Sequence, residues 1–236
     1  MTTPFRIELE GGHFVVGDER AGDGPCYVFL HGLGSVRVGE KSASLLEHAI
    51  ARDHGFLRFD MRGHGESSGE IGRVAVSALI ADAIRILERT GPAYVIGSSL
   101  GGLVAAHAAG ERPDLVRRLA LLAPAFGLMP RIRDHIDKEG FLHTAEGPSF
   151  FVEPGVRDDA ERLDERGLPR RVTSPTLVVH GTADDIIPQQ VSEWFFASMQ
   201  SRHKQLWLVD GGDHRLNTVA TEIWQRFDRL PMPEDA

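Results

Sequence analysis

Three short segments carry the residue types able to do covalent chemistry. Gly97-Ser98-Ser99-Leu100-Gly101 is a G-x-S-x-G placed directly after an apolar run and directly before an alanine-rich helical pattern. A tight strand-to-helix turn at that point lifts one serine hydroxyl clear of the strand ends, and the flanking glycines leave room for the strained backbone. The two glycines bracket Ser99 and leave Ser98 as the variable position. Behind the turn, the start of a helix presents unpaired N–H groups and a positive dipole end to a developing oxyanion. A serine hydroxyl is a weak nucleophile near neutral pH. It needs a base to take its proton and a third group to hold that base.

Candidates for both partners lie downstream. His180-Gly181-Thr182-Ala183-Asp184-Asp185-Ile186-Ile187-Pro188 leaves one apolar run, and Gly211-Gly212-Asp213-His214-Arg215 leaves the last one. Both fall at the C-terminal ends of strands, where open α/β sheets form their ligand sites. His214 is the candidate base. Asp184 and Asp185 compete for the role of acid; the H-G-x-x-D-x-x-I-P spacing favours Asp184 and makes Asp185 an exposed or capping carboxylate. Asp213, next to His214, is expected to point away and serve the turn. His203 precedes a strand and lies at the wrong end.

A second oxyanion donor is expected from His31-Gly32-Leu33-Gly34-Ser35, the loop after the run Cys26–Leu30. The donors are the backbone N–H groups of Leu33 and Leu100, which leaves both side chains free to shape a pocket. His31 itself is expected to be structural. Asp60-Met61-Arg62-Gly63-His64-Gly65-Glu66-Ser67 is a further glycine-rich turn, but no strand–helix junction carries G-x-x-x-x-G-K-[ST] or G-x-G-x-x-G, so no nucleotide site is expected. His13, His48, His54, His107, His135 and His143 lack metal-ligand spacing, and Cys26 is the lone cysteine. No metal, cofactor or disulfide is expected.

These segments need elements to position them. Short apolar runs alternate with helical patterns, the mark of a largely parallel sheet with crossover helices. An opening hairpin is predicted over Phe5–Leu9 and His13–Val16. Strands are predicted at Cys26–Leu30, Phe56–Phe59, Ala93–Ile96, Val116–Leu122, Thr176–Val179 and Gln205–Val209. Helices are predicted through Ala43, Leu46 and Ile50, then over Val74–Arg89, Leu100–Glu111, Val191–Met199 and Val219–Arg229. Alternation fails between Phe126 and Arg171, 46 residues with several Pro and Gly and the aromatic run Phe150-Phe151. That length is too short for a domain and suits a lid. Its aromatic residues either line a pocket or cover the sheet.

Composition narrows the class further. The chain has 236 residues, 42% of them apolar and 25% charged, which excludes disordered and fibrous proteins. A net charge of −8, with arginines scattered rather than clustered, argues against a nucleic-acid partner. No apolar run approaches the ~20 residues that span a bilayer. The opening Met1-Thr2-Thr3-Pro4-Phe5-Arg6 has no basic stretch followed by an apolar one, and a cytoplasmic location is expected.

Taken in order, Leu30–Ser35, Phe59–Gly65, Gly97–Gly101, His180–Pro188 and Asp213-His214-Arg215 resemble the signatures of the α/β-hydrolases. They span nearly the whole chain. More narrowly, the chain is similar to a compact branch of bacterial carboxylesterases and a mitochondrial acyl-protein thioesterase that also cleaves acyl glucuronides. The resemblance implies an α/β-hydrolase fold of about eight mostly parallel strands, in a single domain over 1–236 with a lid insertion at about 126–171. It also implies the chain order serine, acid, histidine, and hence a serine hydrolase of small-molecule carboxylic esters or thioesters. Two other readings use the same residues: an aminopeptidase or amidase on the same triad, and an inactive binding module.

Overall fold

The alternation of side chains along the strands sorts the core into two layers. Val28 and Leu30 point to one face of the sheet and Tyr27 and Phe29 to the other, and each pair joins a separate apolar cluster. The computed structural model describes residues 1–143 and 148–231. The first strands, β1 (Thr3–Glu8) and β2 (Phe14–Arg20), form the antiparallel opening hairpin. Strand β3 (Gly24–Leu30), helix α1 (Glu40–Ala51), β4 (His54–Phe59), α2 (Val76–Thr90), β5 (Ala93–Ser98), α3 (Leu100–Glu111) and β6 (Val116–Leu122) follow. After the insertion come β9 (Thr176–Gly181), α6 (Gln190–Ser198), β10 (Lys204–Val209) and α7 (Ala220–Asp228). Leu216, in a left-handed conformation, and a 3-10 turn at Asn217–Val219 lead into α7.

Eight of these strands pair in the order β1-β2-β4-β3-β5-β6-β9-β10. Every pairing from β4 to β10 is parallel, and only β2 pairs antiparallel with its neighbours. The order reverses around β3, so the loops after β3 and β5 open at a topological switch point. Helices α2, α3 and α6 cover one face, while α1 and α7 cover the other. The fold is the expected α/β architecture. All six residues of β5 and of β9 are buried, as a strand covered on both faces requires.

Helix α3 is buried from Leu100 to Ala109, and its small residues let it lie close against the sheet. A Cβ on Gly101 would stand 2.3 Å from the Leu30 carbonyl oxygen, and one on Gly97 2.2 Å from that of Gly101. Those approaches explain glycine at both positions around the turn.

The insertion between β6 and β9 holds a 3-10 helix (Met129–His135), the antiparallel two-residue strands β7 (Phe141–Leu142) and β8 (Phe150–Phe151), α4 (Pro154–Glu161) and α5 (Leu168–Arg171). Leu142, Val152 and Val156 form its own small apolar cluster, with Ile136, Phe150 and Leu33 packed against it. Phe150 thus belongs to the insertion's core, whereas Phe151 is half in solvent beside Phe141. The insertion docks on the rest of the chain through Glu153 N–H to Gly72 O at 2.9 Å and through the Asp159 carboxylate at the start of α2.

Candidate active site

Ser99 sits at the junction of β5 and α3 with φ 54° and ψ −118°, a left-handed conformation that costs a non-glycine residue about 1–3 kcal/mol. The surroundings hold it there. Its amide donates to Leu122 O at 2.9 Å, and its carbonyl accepts from Gly102, Leu103 and Ala125. Ser98 is buried in the strand, while Ser99 is half-exposed. Across from it, a Cβ on Gly32 would lie 3.3 Å from Ser99 Cβ, so the loop after β3 runs close beside the serine. The amides of Leu33, next in that loop, and of Leu100, first in α3, donate to no described residue. Both unpaired amides belong to residues that follow directly on Gly32 and Ser99, the two positions that approach each other.

His214 and Asp184 meet. His214 Nδ1 lies 2.7 Å from Asp184 Oδ2, and the Asp184 carboxylate is fully out of solvent. That carboxylate is saturated: Oδ1 accepts the amides of Ile186 (2.9 Å) and Ile187 (2.8 Å), and Oδ2 also lies 3.1 Å from His180 Nε2. Burial alone would push its pKa up. The donors from His180, His214 and Ile187 outweigh it and hold the group well below the usual carboxylate range. Asp185 is exposed, and Asp213 Oδ1 accepts the Leu216 amide, closing the turn beside His214. Ser99 Oγ and His214 Nε2 make no hydrogen bond to each other or to any other described residue. Such contacts are commonly long in unliganded enzymes and tighten when substrate binds.

The expected histidine of the β3 loop is structural. His31 is buried; the Met61 amide donates to its Nε2 (3.0 Å), so Nδ1 carries the proton and donates to Gly32 O (2.8 Å). Burial, reinforced by the neighbouring His64 ring, pulls its pKa down to about 4, so it stays neutral. The Asp60 turn is structural as well. The buried Asp60 carboxylate accepts the Arg37 amide (2.7 Å), the Arg37 guanidinium and the Glu66 amide (3.0 Å), binding the two loops together. Lys41 Nζ, on α1, donates to the carbonyl of Arg215 and ties the β3 side of the site to the His214 loop.

Cys26 is half-buried, and burial pushes its thiol up to about 12. His203 precedes β10, at the opposite end of the strand from His214. Two residues escaped the sequence reading. His180 stands in the motif that supplies Asp184, and an imidazole inside a wholly buried strand signals a specific partner. Glu165 is buried at the exit of the insertion, where Oε2 accepts the Gly127 amide (2.7 Å) from its entrance. No local pattern links positions 38 residues apart.

The family model described as serine aminopeptidase, S33 (Hydrolase_4) matches residues 25–146 and 161–218, most of the chain. The chain belongs to that family of hydrolases. It is 29% identical to mouse (Mus musculus) palmitoyl-protein thioesterase ABHD10, mitochondrial, over 84% of this chain and 72% of that protein. It is 28% identical to a pimeloyl-[acyl-carrier protein] methyl ester esterase from Chromobacterium violaceum, over 77% of this chain and 84% of that protein. The solved structure of mouse α/β-hydrolase domain-containing protein 10 superposes with a TM-score of 0.84 at 27% identity, covering 97% of this chain and all of that one. The fold is that of the α/β-hydrolases. Among the described residues, no helix is long and apolar enough to cross a membrane.

Proposed function

We propose that the chain hydrolyses carboxylic esters or thioesters of small to medium acyl groups through an acyl-enzyme on Ser99. His214 takes the hydroxyl proton as Oγ attacks the acyl carbon, then returns it to the departing alcohol or thiol. Asp184 orients the imidazole and supports the imidazolium, while the Leu33 and Leu100 amides receive the oxyanion. Water, deprotonated by His214, then attacks the acyl carbon; the acyl–Oγ bond breaks, His214 returns the proton to Ser99 Oγ, and the acid leaves. The observation that carries the reading is the 2.7 Å pairing of His214 Nδ1 with a saturated, solvent-free Asp184 at the sheet edge where the Ser99 turn also opens. Bonding at Nδ1 leaves Nε2 available to the serine.

Support for esters and thioesters over amides comes from the relatives: one named a palmitoyl-protein thioesterase and another a methyl ester esterase. The insertion at 126–171 serves this single unit as a lid. Its apolar cluster packs on Leu33, so the lid and an oxyanion donor share a residue. A lone cysteine fits a reducing compartment, and a cytoplasmic site of action completes the proposal.

The test is kcat/KM for p-nitrophenyl esters from acetyl to palmitoyl, beside an aminoacyl p-nitroanilide. The Ser99→Ala variant should lose about 10³-fold or more, because triad members act as a unit. Turnover near the parent level in that variant refutes the assignment. Cleavage of the anilide with inert esters would favour the amidase that the family description suggests.

A further inference from the structure

We propose that His180 is a positioning residue for the reaction, holding the carboxylate of Asp184 in the rotation that His214 needs. The inference rests on the triad reading above and adds a member to its support. His180 is wholly buried near the C-terminal end of β9, on the face that packs against α6. An imidazole placed there is costly unless both nitrogens are satisfied. Both are. Nδ1 lies 2.7 Å from Ser192 Oγ on α6, and Nε2 lies 2.9 Å from Ile187 O and 3.1 Å from Asp184 Oδ2.

These partners select one tautomer. Nε2 faces a carbonyl and a carboxylate, both acceptors, so it carries the proton. Nδ1 is then bare and accepts from the Ser192 hydroxyl, itself wholly buried. With that assignment the Nε2 proton is donated to Ile187 O and faces Asp184 Oδ2 at 3.1 Å, so Ser192, His180, Asp184 and His214 line up as one run of polar contacts.

The geometry at Asp184 gives the chain its purpose. The Ile186 and Ile187 amides secure Oδ1 alone, so the rotation that presents Oδ2 to His214 is set by the groups around Oδ2. His180 fixes Oδ2, the oxygen that His214 uses. A neutral donor at this place also stabilises the buried carboxylate without bringing in a competing charge. His180 reaches the reacting atoms only through Asp184 and His214.

The test uses the full chain, a p-nitrophenyl ester that the parent turns over, and the variants His180→Leu, His180→Gln and Ser192→Ala, with circular dichroism to confirm folding. A misplaced acid should lower kcat roughly 10²-fold in His180→Leu while KM stays within about threefold. His180→Gln, whose amide nitrogen can donate from near the Nε2 position, should recover kcat to within about tenfold of the parent. Ser192→Ala, a small change that leaves the imidazole in place, should lower kcat by a smaller factor. Nitrogen-15 NMR of the parent should find His180 protonated at Nε2. A folded His180→Leu with parental kcat overturns the proposal. So does a His180→Gln that falls as far as the leucine variant, because packing alone would then account for the residue. If the leucine variant does not fold, parental kcat in Ser192→Ala together with a proton on Nδ1 overturns it. Parental turnover in Ser99→Ala would instead break the triad reading, and the inference with it; an inactive Ser99→Ala beside an active His180→Leu breaks the inference alone.

Discussion

At the C-terminal edge of the sheet, the Asp184 carboxylate is surrounded by four donors and the Asp60 carboxylate by three, all on backbone or side chains anchored in strands and turns. Across the insertion the holding contacts are of another kind. Arg133 pairs with Asp158 and Glu161 in solvent, and three buried apolar residues make up the local core. At the insertion's neck the buried Glu165 satisfies one carboxylate oxygen, while Oε1 has no partner among the described residues. Charges that must keep one orientation are buried and fully bonded. The insertion adds Phe126, Met129, Ile132, Ala160 and Leu168 to the main core, but its polar contacts are mostly exposed and one carboxylate oxygen of Glu165 has no partner among the described residues.

Breaking the rigid side should cost most. Gly97→Ala drives a Cβ into the Gly101 carbonyl at 2.2 Å and the Gly102 backbone at 2.7 Å, and neither can yield. The loss should be about 3 kcal/mol or more, read from the urea midpoint at unchanged m. A loss below about 1 kcal/mol would show that the turn is not rigid.

The neck of the insertion gives an intermediate effect with a pH signature. Burial pushes the Glu165 carboxyl up to about 7, against its ordinary 4.5, and the Gly127 amide only partly opposes this. The folded state therefore binds the proton more tightly than the unfolded chain. Its stabilising contribution is complete below pH 4.5 and is lost as pH rises through 7. Glu165→Gln should match the parent near pH 5 and exceed it above pH 8 by about 2–3 kcal/mol, seen as a raised Tm. Equal Tm values at both pH values would remove the strained neck from the comparison.

The exposed contacts should matter least. Arg133→Ala gives up two ion pairs whose arginine is 58% exposed, and the change in stability should stay within about 0.5 kcal/mol. A loss beyond about 1 kcal/mol would mean that the insertion is held far more firmly than its surface suggests.

Much of this was legible because it follows from periodicity. Continuous apolar runs such as Tyr27–Leu30 and Ala93–Ile96 lie in buried parallel strands, and the glycine bracket places Ser99 at the sharp turn between β5 and α3. The insertion was legible only as a gap, since its two-residue strands and short helices carry no period long enough to detect.

The sequence by itself determined the alternating α/β order, the edge of the sheet to which serine, acid and histidine candidates are delivered, and the glycines the turn demands. Each is set by neighbours within a few positions. Only the tertiary structure decided which of two adjacent aspartates faces His214, that His180 bonds through Ser192 and Asp184, and that Glu165 closes the neck at Gly127. Apart from the His180–Asp184 contact, four residues apart within one turn, those outcomes depend on where a side chain finds its partner 12 to 38 residues away, and hydrogen-bond geometry at such separations is fixed by packing and not by local propensity.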